Sequence, residues 1–264
     1  MYHCHLYFYF IGSHHKIFKL IEDIPPLDHF THDYFESKAP YETMIAKADV
    51  IVANLHDSNV DELLQLLISG KRKDADLIVL ADKEQIPILT DYLPEIKDVW
   101  TLPISDTELK FRFLRWQQTC KVSKDYWQTN QYLETAINSV PNLIWYKTKD
   151  GIHKKVNDSF CKTVNKTKSE VEGRGHAYIW DVEQDDPACI ESEREVMTKK
   201  VTCISEEIVQ TKSGTRLLTT YKSPLYDCDE SVMGTVGVGI DITQEQEYKE
   251  KLILMIYNEV MKGV

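Results

Sequence analysis

The first hundred residues alternate wholly apolar runs with segments whose apolar residues recur at helical spacing. Residues 5–11 are apolar and aromatic and end at Gly12-Ser13. Residues 15–23 carry Ile17, Phe18, Leu20 and Ile21 at the spacing of one helix face, and Pro25-Pro26 stops the run. Residues 49–55, 76–81 and 99–102 are further apolar runs of strand length. Residues 60–69 form an amphipathic helix closed by Gly70. Strands without polar alternation are buried on both faces. This order therefore predicts a doubly wound α/β domain, a parallel sheet covered by helices on each side.

A different pattern starts after residue 103. Residues 104–140 contain no proline or glycine and read as helix, with Ser105 and Glu108 as a capping box. Leu109, Phe113, Trp116, Cys120 and Trp127 approximate a heptad seam broken by polar Ser123. Leu133, Ala136, Ile137 and Val140 form an offset set. Either the first domain's last helix is followed by a separate cap, or one continuous signalling helix runs through and dimerises. The second reading is preferred.

From Asn142 short strands take over. Residues 142–148 and 152–156 flank a Lys149-Asp150-Gly151 hairpin turn. Short helical pieces fill residues 157–171, with Asn157 able to cap the first. Asp186-Pro187 starts a longer helix, Asp as N-cap and Pro at the first position. Residues 203–211, 216–226 and 232–242 are late strands, the first pair turned at Lys212-Ser213-Gly214. Strands behind a block of helices indicate an α+β domain with an antiparallel sheet. Residues 244–260 resume a helix with Tyr248, Leu252, Met255, Ile256 and Val260 near one face. It reads as cut off, with a further domain expected beyond it. The expected organisation is a first domain at 1–120, a linker helix at 121–140, a second domain at 141–243 and a C-terminal helix at 244–264.

Composition narrows the function. The formal net charge is -11 over 264 residues, which opposes nucleic-acid phosphates and anionic membranes alike. Neither is expected as a partner. No apolar run approaches the ~20 residues that span a bilayer, and residues 6–12 read as a strand rather than a signal peptide. Cys4, Cys120, Cys161, Cys189, Cys203 and Cys228 show no CxxC spacing and read as reduced thiols, so a cytoplasmic location is expected. Seven of the nine histidines lie within the first 56 residues, but none has a recognised metal-ligand spacing, and no metal is expected.

Several motifs in the second half occur in an informative order. These are Lys149-Asp150-Gly151, Val156-Asn157-Asp158-Ser159-Phe160, Gly173, Lys212-Ser213-Gly214-Thr215, and Gly237-Val238-Gly239-Ile240-Asp241-Ile242-Thr243. Together they resemble a PAS domain over residues 130–245. The closing Asp-Ile-Thr resembles the exit of a PAS domain into a signalling helix, with Asp241 and Thr243 able to bond the backbone where strand becomes helix. The resemblance also implies a ligand pocket. Trp145, Phe160, His176, Tyr178, Trp180 and Tyr221 are its candidate lining. Haem on His176 or His153, or a flavin, is allowed by the resemblance but not favoured, because neither motif is present. The cofactor is left unknown. Gly234, Gly237 and Gly239 lie in a strand and are not a dinucleotide fingerprint. Glu206 and Glu207 face opposite sides as adjacent strand residues, so they form no acid/base dyad, and both are expected to be solvated.

Residues 1–120 resemble a response-regulator receiver, through Asp49-Val50-Ile51-Val52-Ala53-Asn54-Leu55, Ile78-Val79-Leu80-Ala81 and Thr101-Leu102-Pro103. The phosphorylation chemistry is missing. Asn54 stands where the resemblance requires a carboxylate, Ala81 where it requires a hydroxyl and Leu102 where it requires a lysine. Ile11-Gly12-Ser13 offers no acidic pair for Mg²⁺, and Asp57 lies three residues past Asn54. A pseudo-receiver is implied. The whole resembles the input half of bacterial diguanylate cyclases (GGDEF) or sensor histidine kinases, a non-enzymatic homodimer passing a signal through its flanking helices to a downstream catalytic domain. A stand-alone interaction module is the rival.

Overall fold

The computed structural model describes residues 2–56, 59–185, 187–211 and 214–262. Asp57, the proposed N-cap Asp186 and the turn residues Lys212 and Ser213 lie outside them, as does the Val260 side chain. The chain divides into two compact units meeting between Thr129 and Asn130.

The first unit holds strands β1 (Cys4–Ile11), β2 (Phe30–Ser37), β3 (Val50–Asn54), β4 (Asp76–Asp82) and β5 (Asp98–Leu102). They form one sheet in the order β2-β1-β3-β4-β5, and every pair is parallel. Helices α1 (His15–Glu22) and the start of α5 (Asp106–Asn138) cover one face. Phe18, Ile21, Leu109, Phe113 and Trp116 pack there against Phe8, Phe10, Val52, Leu80 and Trp100. Helices α2 (Glu42–Ile45), α3 (Val60–Gly70) and α4 (Ile86–Leu89) cover the other, through Ile45, Leu63, Leu64, Leu67 and Leu89. Alternate residues of one strand thus enter different cores, which is why the runs carry no polar breaks. Each fully buried Phe or Leu contributes about 1.5–3 kcal/mol.

Two features differ from the sequence reading. β2 has no counterpart in it. Its sequence FTHDYFES is half polar, and it forms the sheet edge, where one side needs no apolar cover. Helix α5 is continuous over 33 residues, yet Leu109, Phe113 and Trp116 are not a seam for a second chain. They are buried in this unit's own core. Trp127 is exposed. Ser105 Oγ accepts from Glu108 N at 3.2 Å, one half of the expected capping box.

The second unit holds β6 (Leu143–Thr148), β7 (His153–Val156), β8 (Cys203–Thr211), β9 (Gly214–Tyr226) and β10 (Val232–Asp241). The sheet runs β7-β6-β10-β9-β8 and is antiparallel throughout. Helices α6 (Asp158–Val164), α7 (Lys168–Val171), α8 (His176–Trp180) and α9 (Pro187–Lys199) lie between β7 and β8 in sequence, and α10 (Thr243–Lys262) follows β10. Asn157 is fully buried and organises the entry to this unit. Its Oδ1 caps α6 by accepting from Phe160 N and also accepts from Ile144 N, both at 3.0 Å. Its Nδ2 donates to Ile137 O at 2.7 Å and Asn142 O at 2.8 Å. One side chain therefore ties the last turn of α5 to β6 and α6.

Candidate functional site

Strand alternation decides which side chains of the second sheet face the helices. On β6 these are Leu143, Trp145 and Lys147; on β10 Thr235, Gly237 and Gly239; on β9 Leu218, Thr220 and Lys222; on β8 Ser205, Glu207 and Val209. Helix α9 presents Cys189, Glu193 and Val196, spaced four and three apart on its buried face.

The centre of this layer is charged. Lys147 Nζ donates to Glu193 Oε1 at 2.6 Å. Lys222 Nζ donates to Glu207 Oε1 at 2.6 Å and Ser192 Oγ at 2.8 Å. Cys189 Sγ lies between the two ammonium groups, 3.5 Å from Lys222 and 3.9 Å from Lys147. Ser205 Oγ donates to Glu207 Oε1 at 3.0 Å, and Thr220 Oγ1 lies 3.1 Å from the same oxygen. Two cations face two carboxylates, so the cluster is neutral as a whole. Burying an ion costs several kcal/mol, and close pairing with added hydrogen bonds offsets that cost without leaving a large surplus. Such a cluster is therefore weakly explained by stability.

The titrations follow the burial. Desolvation works against the Lys222 charge, but its anionic surroundings, the Glu207 and Glu193 carboxylates among them, outweigh it and hold its pKa above the ordinary lysine value. Burial raises the Cys189 pKa against the pull of both lysines, so the thiol stays protonated. His153 is pushed down to about 3, first by burial and then by Lys147. It is neutral at physiological pH.

A cleft of about 310 Å³ opens beside this cluster, walled by Lys147, His176, Cys189, Glu193 and Met197. A void of about 20 Å³ lies behind it and shares Lys147, His176 and Cys189 with it. The inner wall is aromatic. The Trp145 indole lies flat on β10, where a Cβ on Gly237 would come within 2.1 Å of its Cε2. Phe160 stands 6.0 Å from Trp145 between ring centres, and Trp180 meets Phe160 edge-on at 5.8 Å. Among the described residues, two buried polar atoms on this sheet face have no hydrogen-bond partner, Trp145 Nε1 and Thr235 Oγ1.

Of the expected lining, Trp145, Phe160, His176 and Trp180 do meet around this void. Tyr178 does not. It is half exposed, with Lys166 and Arg174 over its ring at 5.7 and 5.3 Å. Tyr221 does not either. Its neighbours Thr220 and Lys222 point inward, so alternation turns it to the opposite face of the sheet. Glu206 is exposed as expected, but Glu207 is not solvated, because its parity matches Ser205 and Val209 and aims it at Lys222. Lys147, Lys222 and Glu193 went unnoticed in the sequence. The signal was there: Lys147 stands two residues after Trp145, so the same alternation points it inward. The interior does not fit a haem or a flavin ring, since 20 Å³ is about the space of one water.

At the far end of β10, Asp241 Oδ1 accepts from Thr243 N at 3.0 Å and from Thr243 Oγ1 at 2.5 Å. The same hydroxyl accepts from Leu217 N on β9 at 2.9 Å, and Ile242 N donates to Leu217 O at 2.9 Å. The first residues of α10 are thus pinned to β9.

In the first unit, Asn54 ends β3 and is buried; its Oδ1 accepts from His56 N at 3.1 Å, while His56 Nδ1 bonds Asp82. Among the described residues no group of three or more His, Cys, Asp or Glu is placed to hold a metal ion, and no helix is long and apolar enough to cross a membrane.

A family model for the PAS fold matches residues 137–247. Similar solved structures include a phage VqmA–DPO complex, at 18% identity and TM-score 0.38, covering 51% of this chain and 62% of that one. The chain thus spans less than two thirds of that protein. A PAS domain from Colwellia psychrerythraea matches at 15% identity and TM-score 0.38, covering 44% of this chain and 98% of that one. The PAS domain of Bordetella pertussis BvgS matches at 23% identity and TM-score 0.37, covering 50% and 98%. No curated protein matches the chain.

Proposed function

With residues 137–247 forming a PAS domain, we propose that this chain is the sensory-input module of a bacterial signalling protein. A small polar ligand enters the cleft beside Lys147 and Glu193, and the response leaves through Asp241 and Thr243 into α10. The observation that carries this reading is the junction at Thr243. One hydroxyl joins the end of β10, the backbone of β9 and the first residue of α10. The junction gives a change in sheet geometry a direct route to the helix.

The output we propose is a diguanylate cyclase, with a sensor histidine kinase as the second choice; both rest on the resemblance described above. The chain itself acts as regulator rather than catalyst. Its dimer interface is proposed on α10, where Tyr248, Leu252, Met255 and Ile256 are all exposed. The first unit is proposed as a pseudo-receiver, a reading supported by its strand order and by the burial of Asn54. Residues 98–102 and 78–81 supply the neighbouring strand ends without a lysine or hydroxyl at the matching positions. A cytoplasmic location is proposed from the reduced cysteines.

The test is cyclic-di-GMP synthesis by the full-length gene product, wild type against Thr243→Val. A several-fold change in rate is expected. An unchanged rate contradicts the proposed exit, and autophosphorylation in place of cyclase activity selects the kinase reading.

A further inference from the structure

Resting on that sensor reading, we propose that the ligand is a small organic carboxylate that takes the place of Glu193 on the Lys147 ammonium. Three observations lead there.

The first is a difference between the two buried lysines. Lys222 directs its three N–H groups at Glu207, Ser192 and Cys189, at 2.6, 2.8 and 3.5 Å. Among the described residues Lys147 has only Glu193 at 2.6 Å and a long contact to Cys189 at 3.9 Å. An ammonium has three donors, so Lys147 holds the spare capacity. It is also Lys147, not Lys222, that lines both the cleft and the void behind it.

The second is the pair of orphaned polar atoms. Trp145 Nε1 is a donor with no acceptor, and the Thr235 hydroxyl has no partner. Trp145 precedes Lys147 by two on the same face, and Thr235 lies directly opposite Lys147 on β10. Buried polar groups are almost always satisfied. Donors left open on the sheet face that carries this cation call for an acceptor-rich, anionic group.

The third is charge balance. The two ammonium groups are already matched by two carboxylates, so an added buried anion would stand uncompensated. Replacement avoids this. Glu193 lines the cleft as well as touching Lys147, so its carboxylate can turn outward to water while the ligand's occupies its place. The cleft rim carries Lys149 and Arg194 against Asp150 and Asp185, so it gives no net preference, and discrimination falls to Lys147. A cleft of about 310 Å³ suits a short acid, and Ile190 and Met197 in its wall offer apolar cover for its carbon chain. Exchange on Lys147 also cuts the tie between β6 and α9, so binding alters how the helix sits on the sheet.

Calorimetric titration of the full chain with acetate, propionate, malonate and succinate, each against its neutral amide, tests this. At least one acid is expected to bind tenfold or more tighter than its amide. Glu193→Gln removes the competing charge and should tighten that acid several-fold. Lys147→Met should abolish binding, and Trp145→Phe should weaken it several-fold. Equal binding of acid and amide, or no tightening in Glu193→Gln, overturns the proposal. Because Glu193→Gln keeps size and shape, it remains informative if Lys147→Met fails to fold. If no acid binds while Glu193→Gln still changes amide exchange in α10, the ligand class is wrong and the sensor reading stands. If both are silent, the sensor reading falls as well.

Discussion

Lys147 on β6 and Glu193 on α9 hold each other at 2.6 Å, each side chain less than a tenth exposed. A pair removed from water this far is stable only as a pair. Glu193→Ala should destabilise the second unit by about 3–5 kcal/mol by stranding the ammonium, whereas Lys147→Met combined with Glu193→Leu should recover most of the loss. Urea unfolding of both variants, followed through the transition of that unit, measures the difference. A cost under ~1 kcal/mol for the single variant is what an exposed ion pair gives, and would place Glu193 in solvent.

Gly237 makes room for Trp145. A methyl at that position would overlap the indole Cε2 at 2.1 Å, and neither β10 nor the ring can yield freely inside the core. Gly237→Ala should therefore cost at least the ~1–3 kcal/mol of an overpacked core and shift the Trp145 environment. Thermal unfolding with near-UV circular dichroism reads both. An unchanged midpoint would mean that the indole lies elsewhere.

Acid should weaken both units for the same reason. His153 titrates at about 3 and His32 at about 4 in the folded chain, burial being the first cause for each, against an ordinary value near 6.5. Their folded pKa values are depressed, so the unfolded chain binds protons first as pH falls. The stability they leave intact is fully present above about pH 6.5 and is lost progressively down to about pH 4 for His32 and pH 3 for His153. For His153 the total is on the order of 4–5 kcal/mol. His153→Gln should flatten the slope of stability against pH for the second unit between 6.5 and 3, whatever its effect on stability at pH 7. An unaltered slope would contradict the buried neutral imidazole.

Restoring a carboxylate to the first unit should not restore phosphorylation. Asn54→Asp supplies a nucleophile, but Leu102, Ala81 and Ile11-Gly12-Ser13 still lack the lysine, the hydroxyl and the acidic pair. Position 54 is also buried. Incubation with radiolabelled acetyl phosphate and Mg²⁺ should label neither the wild type nor the variant. Incorporation into either contradicts the pseudo-receiver reading.

The sequence reveals best what repeats a simple rule. Continuous apolar runs announced β1, β3, β4 and β5, because strands buried on both faces leave no other pattern. β2 escaped because an edge strand can be half polar. Asn157 was legible as a helix cap, but its four-way role was not, because distant backbone partners carry no sequence signature. The charged centre of the PAS unit was hidden by its own chemistry: lysine and glutamate in a strand suggest solvent. Tyr221 was misplaced for the complementary reason, an aromatic residue taken for core although its parity with Lys222 turns it outward.

On the proposed reading, the state of the Lys147–Glu193 pair reaches α10 through Asp241 and Thr243. Hydrogen–deuterium exchange at the backbone amides of residues 244–248 tests it most directly, in wild type, Glu193→Gln, Thr243→Val and the double variant. Glu193→Gln should change exchange in this first stretch of α10 several-fold. Adding Thr243→Val should remove that dependence, leaving the double variant equal to Thr243→Val alone. Exchange at residues 244–248 that ignores Glu193→Gln, or that responds equally with and without the Thr243 hydroxyl, would mean that the ion pair and α10 are not coupled through this junction.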